Sequence, residues 1–133
     1  MENRVIYTER KTYNKYDQEH YIIYLREEII QDYIPENLPE DCEPVPVIGY
    51  AYTGNHPDGG TIIQAHEATY EAFVSGLIRQ RYMQNEVEAI QSNMLLALTD
   101  PGNDRAMEFR SEWETYQQFR QECKTNASTL LNL

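Results

Sequence analysis

Imidazole and carboxylate groups able to act together occur at His56, Asp58, His66 and Glu67, with His20 elsewhere. These are the ligand types of hydrolytic metals, where a bound divalent ion activates water. They define one reading, a small metal-dependent hydrolase. The spacing argues against it. His56-Pro57-Asp58 is turn chemistry first, and His66-Glu67 stands before a helix, where an acidic side chain suits the positive end of the dipole. A catalytic zinc needs about three converging protein ligands, and no zincin helix, nucleophile elbow or Cys-His pairing accompanies these residues. Gly59-Gly60-Thr61 offers backbone donors to a phosphate, but a strand rather than a helix follows and no lysine does. The residues therefore predict no enzyme, no metal and no cofactor.

The elements that would position such groups fall into two halves of one expected domain, 1–133. Residues 1–66 read as mainly β. Val5 to Tyr13 and Tyr21 to Leu25 are rich in β-branched and aromatic residues, and the polar run Asn14 to Glu19 joins them as a hairpin. The second segment, continuing through Arg26, Glu27, Glu28 and Ile29, has a helical alternative because short apolar runs are ambiguous by period. A loop at 34–46 carries Pro35, Pro39, Pro44 and Pro46. Val47 to Tyr52 and Thr61 to Gln64 read as two more strands. The turn formers Thr53 to Gly60 between them predict a reversal joining neighbouring antiparallel strands.

Residues 67–126 read as helical. Thr69 is the expected N-cap of a first helix bearing Phe73, Val74, Leu77 and Ile78 on one side. Tyr82-Met83-Gln84 interrupts that pattern, and Asn85 with Glu88 predicts a capping box for a second helix. Its stripe is Val87, Ile90, Met94 and Leu98. Thr99 to Asn103 is a turn, so the chain doubles back near 99–103. In the last helix Phe109, Trp113, Tyr116, Cys123 and Ala127 share a narrow arc, while Glu108, Arg110, Glu114, Gln117, Gln121 and Lys124 lie largely outside it. From Asn126 the tail carries Leu130, Leu131 and Leu133. The fold class is thus α+β: a small antiparallel sheet of three or four strands, a helix, and a C-terminal antiparallel helical hairpin.

Composition narrows the function. Eleven Lys plus Arg against 22 Asp plus Glu give a net charge of −11, which repels phosphate backbones and anionic headgroups at long range. Nucleic acid and membrane are not expected partners. An acidic DNA-mimic inhibitor is the rival that uses this charge directly, but Arg and Lys interrupt the acids through most of the helices, as on a solvated face. Cys42 and Cys123 have no metal spacing, so reduced thiols in a cytoplasmic protein are expected, with a single disulfide as the alternative. No signal peptide or spanning segment is read.

Eleven tyrosines exceed what one thin sheet should bury; Tyr13, Tyr16, Tyr21, Tyr33, Tyr50 and Tyr52 are candidates for contact with another chain. On the last helix, Phe109, Trp113, Tyr116, Phe119 and Arg120 form a candidate partner-binding surface, since Trp, Tyr and Arg are favoured anchors. Arg120 has a plainer reading too, its stem laid across apolar surface and its head in water.

Leu77-Ile78-Arg79-Gln80-Arg81-Tyr82, then Asn85-Glu86-Val87-Glu88-Ala89-Ile90, then Tyr116-Gln117-Gln118-Phe119 leading to Cys123-Lys124, together with Pro57 to Thr61 upstream, make the C-terminal half resemble small phage or prophage tail-assembly proteins, the tail-fibre-assembly chaperone-like group. The resemblance implies a non-enzymatic role in assembly, cytoplasmic or virion-associated, in which a modular β portion and the helical hairpin hold a structural protein soluble until it is incorporated. It implies a protein partner, with a homodimer through the hairpin as a secondary expectation, and no catalytic residues.

Overall fold

The computed structural model describes residues 2–36, 39 and 43–133. The protein is α+β. Among the described residues, the strands are β1 (Asn3–Tyr7), β2 (Tyr13–Lys15), β3 (His20–Ile23), β4 (Glu28–Tyr33), β5 (Val47–Gly54) and β6 (Thr61–Gln64), followed by helices α1 (Tyr70–Arg79), α2 (Gln84–Thr99) and α3 (Ala106–Leu131). The chain divides into two compact units, Met1–Ile62 and Ile63–Leu133.

Instead of one sheet there are two of three strands each, ordered β1-β5-β4 and β2-β3-β6. The expected strand Val5 to Tyr13 splits. Its first part is in β1, antiparallel to β5 with Val5 opposite Tyr52, and its end begins β2, paired with β3 through Tyr13 opposite Ile23. The hairpin survives as β2-β3, closed where Tyr16 N donates to His20 O at 3.0 Å and Glu19 N to Asp17 Oδ1 at 2.8 Å.

The helical alternative past Arg26 fails because Arg26 turns left-handed at φ 56° and the chain leaves it as β4, pairing with the other side of β5. Ile30 and Tyr33 are three positions apart, whereas their partners Gly49 and Val47 are two apart, so β4 holds an extra residue. Asp32 absorbs it at φ 52°, a left-handed conformation that Asp tolerates better than most side chains. In the 34–46 loop, residues 34–36, 39 and 43–46 belong to no helix or strand; the remaining residues, Cys42 among them, lie outside the described ones.

In the N-terminal unit Ile22, Tyr24 and Tyr52 form a buried cluster with Tyr7, Tyr50 and Ile62 packed against it. Tyr52, at 1% exposed, is core and not contact surface. The C-terminal unit is built on Phe73, Leu77 and Ile78 of α1 and the buried seam of α3. A Cβ on Gly76 would stand 2.7 Å from the Gln64 carbonyl oxygen, so only glycine lets α1 approach the end of β6 this closely.

Thr69 does cap α1, its Oγ1 accepting from Ala72 N at 3.3 Å. The cap of α2 lies two residues earlier than expected: Glu86 Oε1 accepts from Met83 N at 3.2 Å, leaving Asn85 inside the helix. The turn after Thr99 is present, with Asn103 N bonded to Asp100 O at 3.0 Å. Helix α3 runs past the expected end at 126, to Leu131, and stops at left-handed Asn132. The expected stripe of α2 fails at Leu98, which is 59% exposed; Ala97 beside it is the buried residue.

Candidate functional site

Asp58 is the most connected of the chemistry-bearing residues, and everything that holds it belongs to the N-terminal unit. The loop after β5 brings its carboxylate to Tyr24 Oη, which donates to Oδ2 at 2.8 Å, and to Gly60 N, which donates to Oδ1 at 2.8 Å. His56 Nδ1 lies 2.8 Å from the same Oδ1. Because an ionised carboxylate only accepts, that contact places the proton on Nδ1. The Tyr7 hydroxyl donates to the Asp58 carbonyl at 2.5 Å. Gly59, at φ 86°, sits where a Cβ would meet the Tyr52 carbonyl oxygen at 2.9 Å, which explains why the loop needs glycine there.

Three tyrosines reach this loop region, Tyr7 from β1, Tyr24 from just after β3 and Tyr52 from β5, and their rings pack edge to face: Tyr7 on Tyr24 at 6.1 Å, Tyr24 on Tyr52 at 5.6 Å. Tyr52 donates to Glu27 Oε1 at 2.9 Å and accepts from Lys11 N at 2.9 Å, while Arg10 Nε holds the same Glu27 oxygen at 2.8 Å. Burial pushes all three phenols up, with Asp58 adding to the effect at Tyr7 and Tyr24; Tyr52, also beside Glu27, rises to about 12. For Asp58, burial works against ionisation, but the hydrogen bonds from Gly60, Tyr24 and His56 outweigh it and hold the carboxyl below its ordinary range.

Protonated phenols and an ionised Asp58 make a set of matched donors and acceptors, which fastens a loop and supplies no nucleophile. The phosphate reading fails on the same grounds, since Gly60 N is spent on Asp58 and Gly59 N on His56 O at 2.9 Å. A linkage consequence follows from the raised phenols. Their contribution to stability is complete below the ordinary tyrosine value of 10 and is lost as pH climbs toward about 12. Alkaline titration of the protein is expected to show the last part of the tyrosinate absorbance and loss of β structure together, and Tyr52→Phe to weaken that coupling. Ionisation of all eleven tyrosines with the fold intact would contradict the network.

His66 and Glu67 are exposed in the segment before α1, in the C-terminal unit. His20 is taken by Asp17 Oδ1 at 2.8 Å. Among the described residues no group of three or more His, Cys, Asp or Glu is placed to hold a metal ion. Cys123 is a free, buried thiol pushed up to about 11 by burial and the nearby Glu122.

On the helices, the proposed contact residues divide. Phe109 and Tyr116 are buried, at 3% and 5% exposed, and so belong to the interior of the unit. Trp113, Phe119 and Arg120 are half-buried. The aromatic group is larger than the last helix alone: Tyr82, read from sequence as an interruption, packs on Tyr116 at 5.2 Å and Phe119 at 5.6 Å, and the Arg81 guanidinium stands 5.1 Å over the Phe119 ring. At the far end, Ala97, Ala106 and Phe109 form a small core. Around it Leu95 (62%), Leu96 (41%), Leu98 (59%) and Met107 (85%) are exposed. Sequence reasoning placed only Leu98 of these four, and on the wrong side of the helix; the run Leu95-Leu96-Ala97-Leu98, too apolar for one stripe, was the available signal.

No family model matches the chain, and no curated protein or solved structure is significantly similar to it. Among the described residues no helix is long and apolar enough to cross a membrane.

Proposed function

We propose that this protein is a non-enzymatic interaction protein acting in assembly, as the resemblance to tail-assembly chaperones implies, and that its helical half contacts the structural protein it holds. The supporting observation is the apolar tip of the α2–α3 hairpin, where Leu95, Leu96, Leu98 and Met107 stand in water on both sides of one turn. Fully burying such a side chain is worth about 1.5–3 kcal/mol, so their exposure leaves a reserve that a bound protein recovers. Clustered exposed apolar side chains of this kind are the raw material of a contact site. The buried rings Phe109 and Tyr116 serve this role indirectly, by setting the two helices side by side. A second copy meeting the first through the same tip is the secondary form of the proposal.

A photo-crosslinking residue at position 98 is expected to capture a defined protein in the native host, where one at exposed Arg110 does not. Leu95→Glu with Leu98→Glu should reduce that capture about tenfold, the equivalent of roughly 1.4 kcal/mol. Exposed positions shift stability by only about ±0.5 kcal/mol, so the variant stays folded. Equal yields from positions 98 and 110, or capture indifferent to both glutamates, would remove the proposal.

A further inference from the structure

Arg120 and Lys124 lie four residues apart on α3, hence on the same face of the helix. Adjacent like charges weaken a helix slightly, and among the described residues neither has an ion-pair partner. Elsewhere Arg4, Arg10, Arg26 and Arg105 are each paired with a glutamate. Both cations line a groove of about 300 Å³ whose floor includes Val74 and Ile78 of α1 and Tyr116 of α3. Arg79 stands in the same lining, held by the Tyr82 carbonyl and the Gln84 side chain. Glu71 is the single acid there against three bases. A positive groove in a chain of net charge −11 is a local reversal of sign.

We propose that this groove docks an acidic segment of a protein partner, its carboxylates beside Arg120 and Lys124 and an apolar side chain on Val74 and Ile78. The inference rests on the interaction role argued above and states the chemistry of what is recognised. Nucleic acid fits poorly, because its binding is dominated by the phosphate backbone, which brings no aliphatic side chain to Val74 and Ile78. A small anion would leave the apolar floor uncovered. A peptide carrying both kinds of group satisfies both halves of the groove, with charge giving register and apolar contact giving hold.

The test uses the full chain and two fluorescent peptides, one alternating glutamate with leucine, the other lysine with leucine. The glutamate peptide is expected to bind, more weakly as salt rises. Arg120→Glu with Lys124→Glu should lose about tenfold in affinity and gain binding of the lysine peptide. Arg120→Gln with Lys124→Gln, which keeps two good helix formers, should show the same loss without the gain. Circular dichroism confirms that each variant is folded. Absence of binding by the glutamate peptide, or binding unaltered by both pairs of substitutions, overturns the proposal. Self-association of the chain alone, abolished by the same substitutions, also overturns it and assigns the groove to a second copy. If crosslinking from position 98 still captures a partner while the peptides fail, the groove alone is lost and the interaction role stands.

Discussion

Phe109→Ala is expected to cost the helical unit about 3–5 kcal/mol, the usual loss for a fully buried phenylalanine ring. The ring is 3% exposed and its buried neighbours are Ala97 and Ala106. Alanines bring the two helices close but have no side chain to swing into a void, so the cavity stays open and the penalty falls at the upper end. A urea titration followed by the helical circular dichroism signal reads the effect. A loss under about 1 kcal/mol would show that the ring is solvated and that the hairpin is held elsewhere. The variant also separates two roles the sequence could not separate. Loss of partner capture by Phe109→Ala should track loss of helix, whereas loss by Leu98→Glu should occur with the helix intact.

The helical half was legible where packing and local signals agree. Phe73, Leu77 and Ile78 follow the period of a helix and are buried, and Thr69 caps it as its side chain suggests. Legibility failed where two local signals competed. Glu86 and Glu88 each suit a capping box, and the connection from α1 decides between them: Arg79 Nη1 donates to the Tyr82 carbonyl at 3.3 Å, which fixes the chain's exit and starts α2 at Gln84. The end of α3 was hidden by Thr125, Asn126, Ser128 and Thr129, poor helix formers in isolation. Their hydroxyls are absorbed within the helix, Thr125 Oγ1 on Gln121 O and Thr129 Oγ1 on Thr125 O. The seam Cys123, Ala127, Leu130 then continues to the C-terminus in buried positions.

In the β half, strand positions were easier to read than partners. Val47 to Tyr52 and Thr61 to Gln64 lie within or match real strands, yet β5 and β6 belong to different sheets. The pairing of β1 with β5 spans most of the N-terminal unit, and no local pattern encodes a contact of that separation. The loop between β5 and β6 looks like a simple reversal because its turn formers are the same ones that a side-chain-fastened loop requires. Asp58 then accepts from Tyr24, thirty-four residues away. The candidate site shows the same limit: His56 and Asp58 do meet, but the tyrosines that give Asp58 its role come from elements the sequence could not bring together.

Asp58→Ala should cost the N-terminal unit about 2–3 kcal/mol, because hydrogen bonds to a charged group are worth about 1.5–3 kcal/mol and the Tyr24 hydroxyl is left without its acceptor. A third of the Asp58 side chain is exposed, so water relieves part of the loss and keeps the figure below that of a fully buried carboxylate. Asp58→Asn retains the shape and one acceptor oxygen and should cost less than the alanine. The folded carboxyl is held below its unfolded range, so its contribution is present above the ordinary aspartate value of 3.8 and disappears as pH falls through the folded value. The gap in stability between the native protein and Asp58→Asn is therefore expected to be constant near neutrality and to close in acid. A gap that persists at low pH would mean that Asp58 acts through shape alone, and that Tyr24, His56 and Gly60 are positioned by something other than its charge.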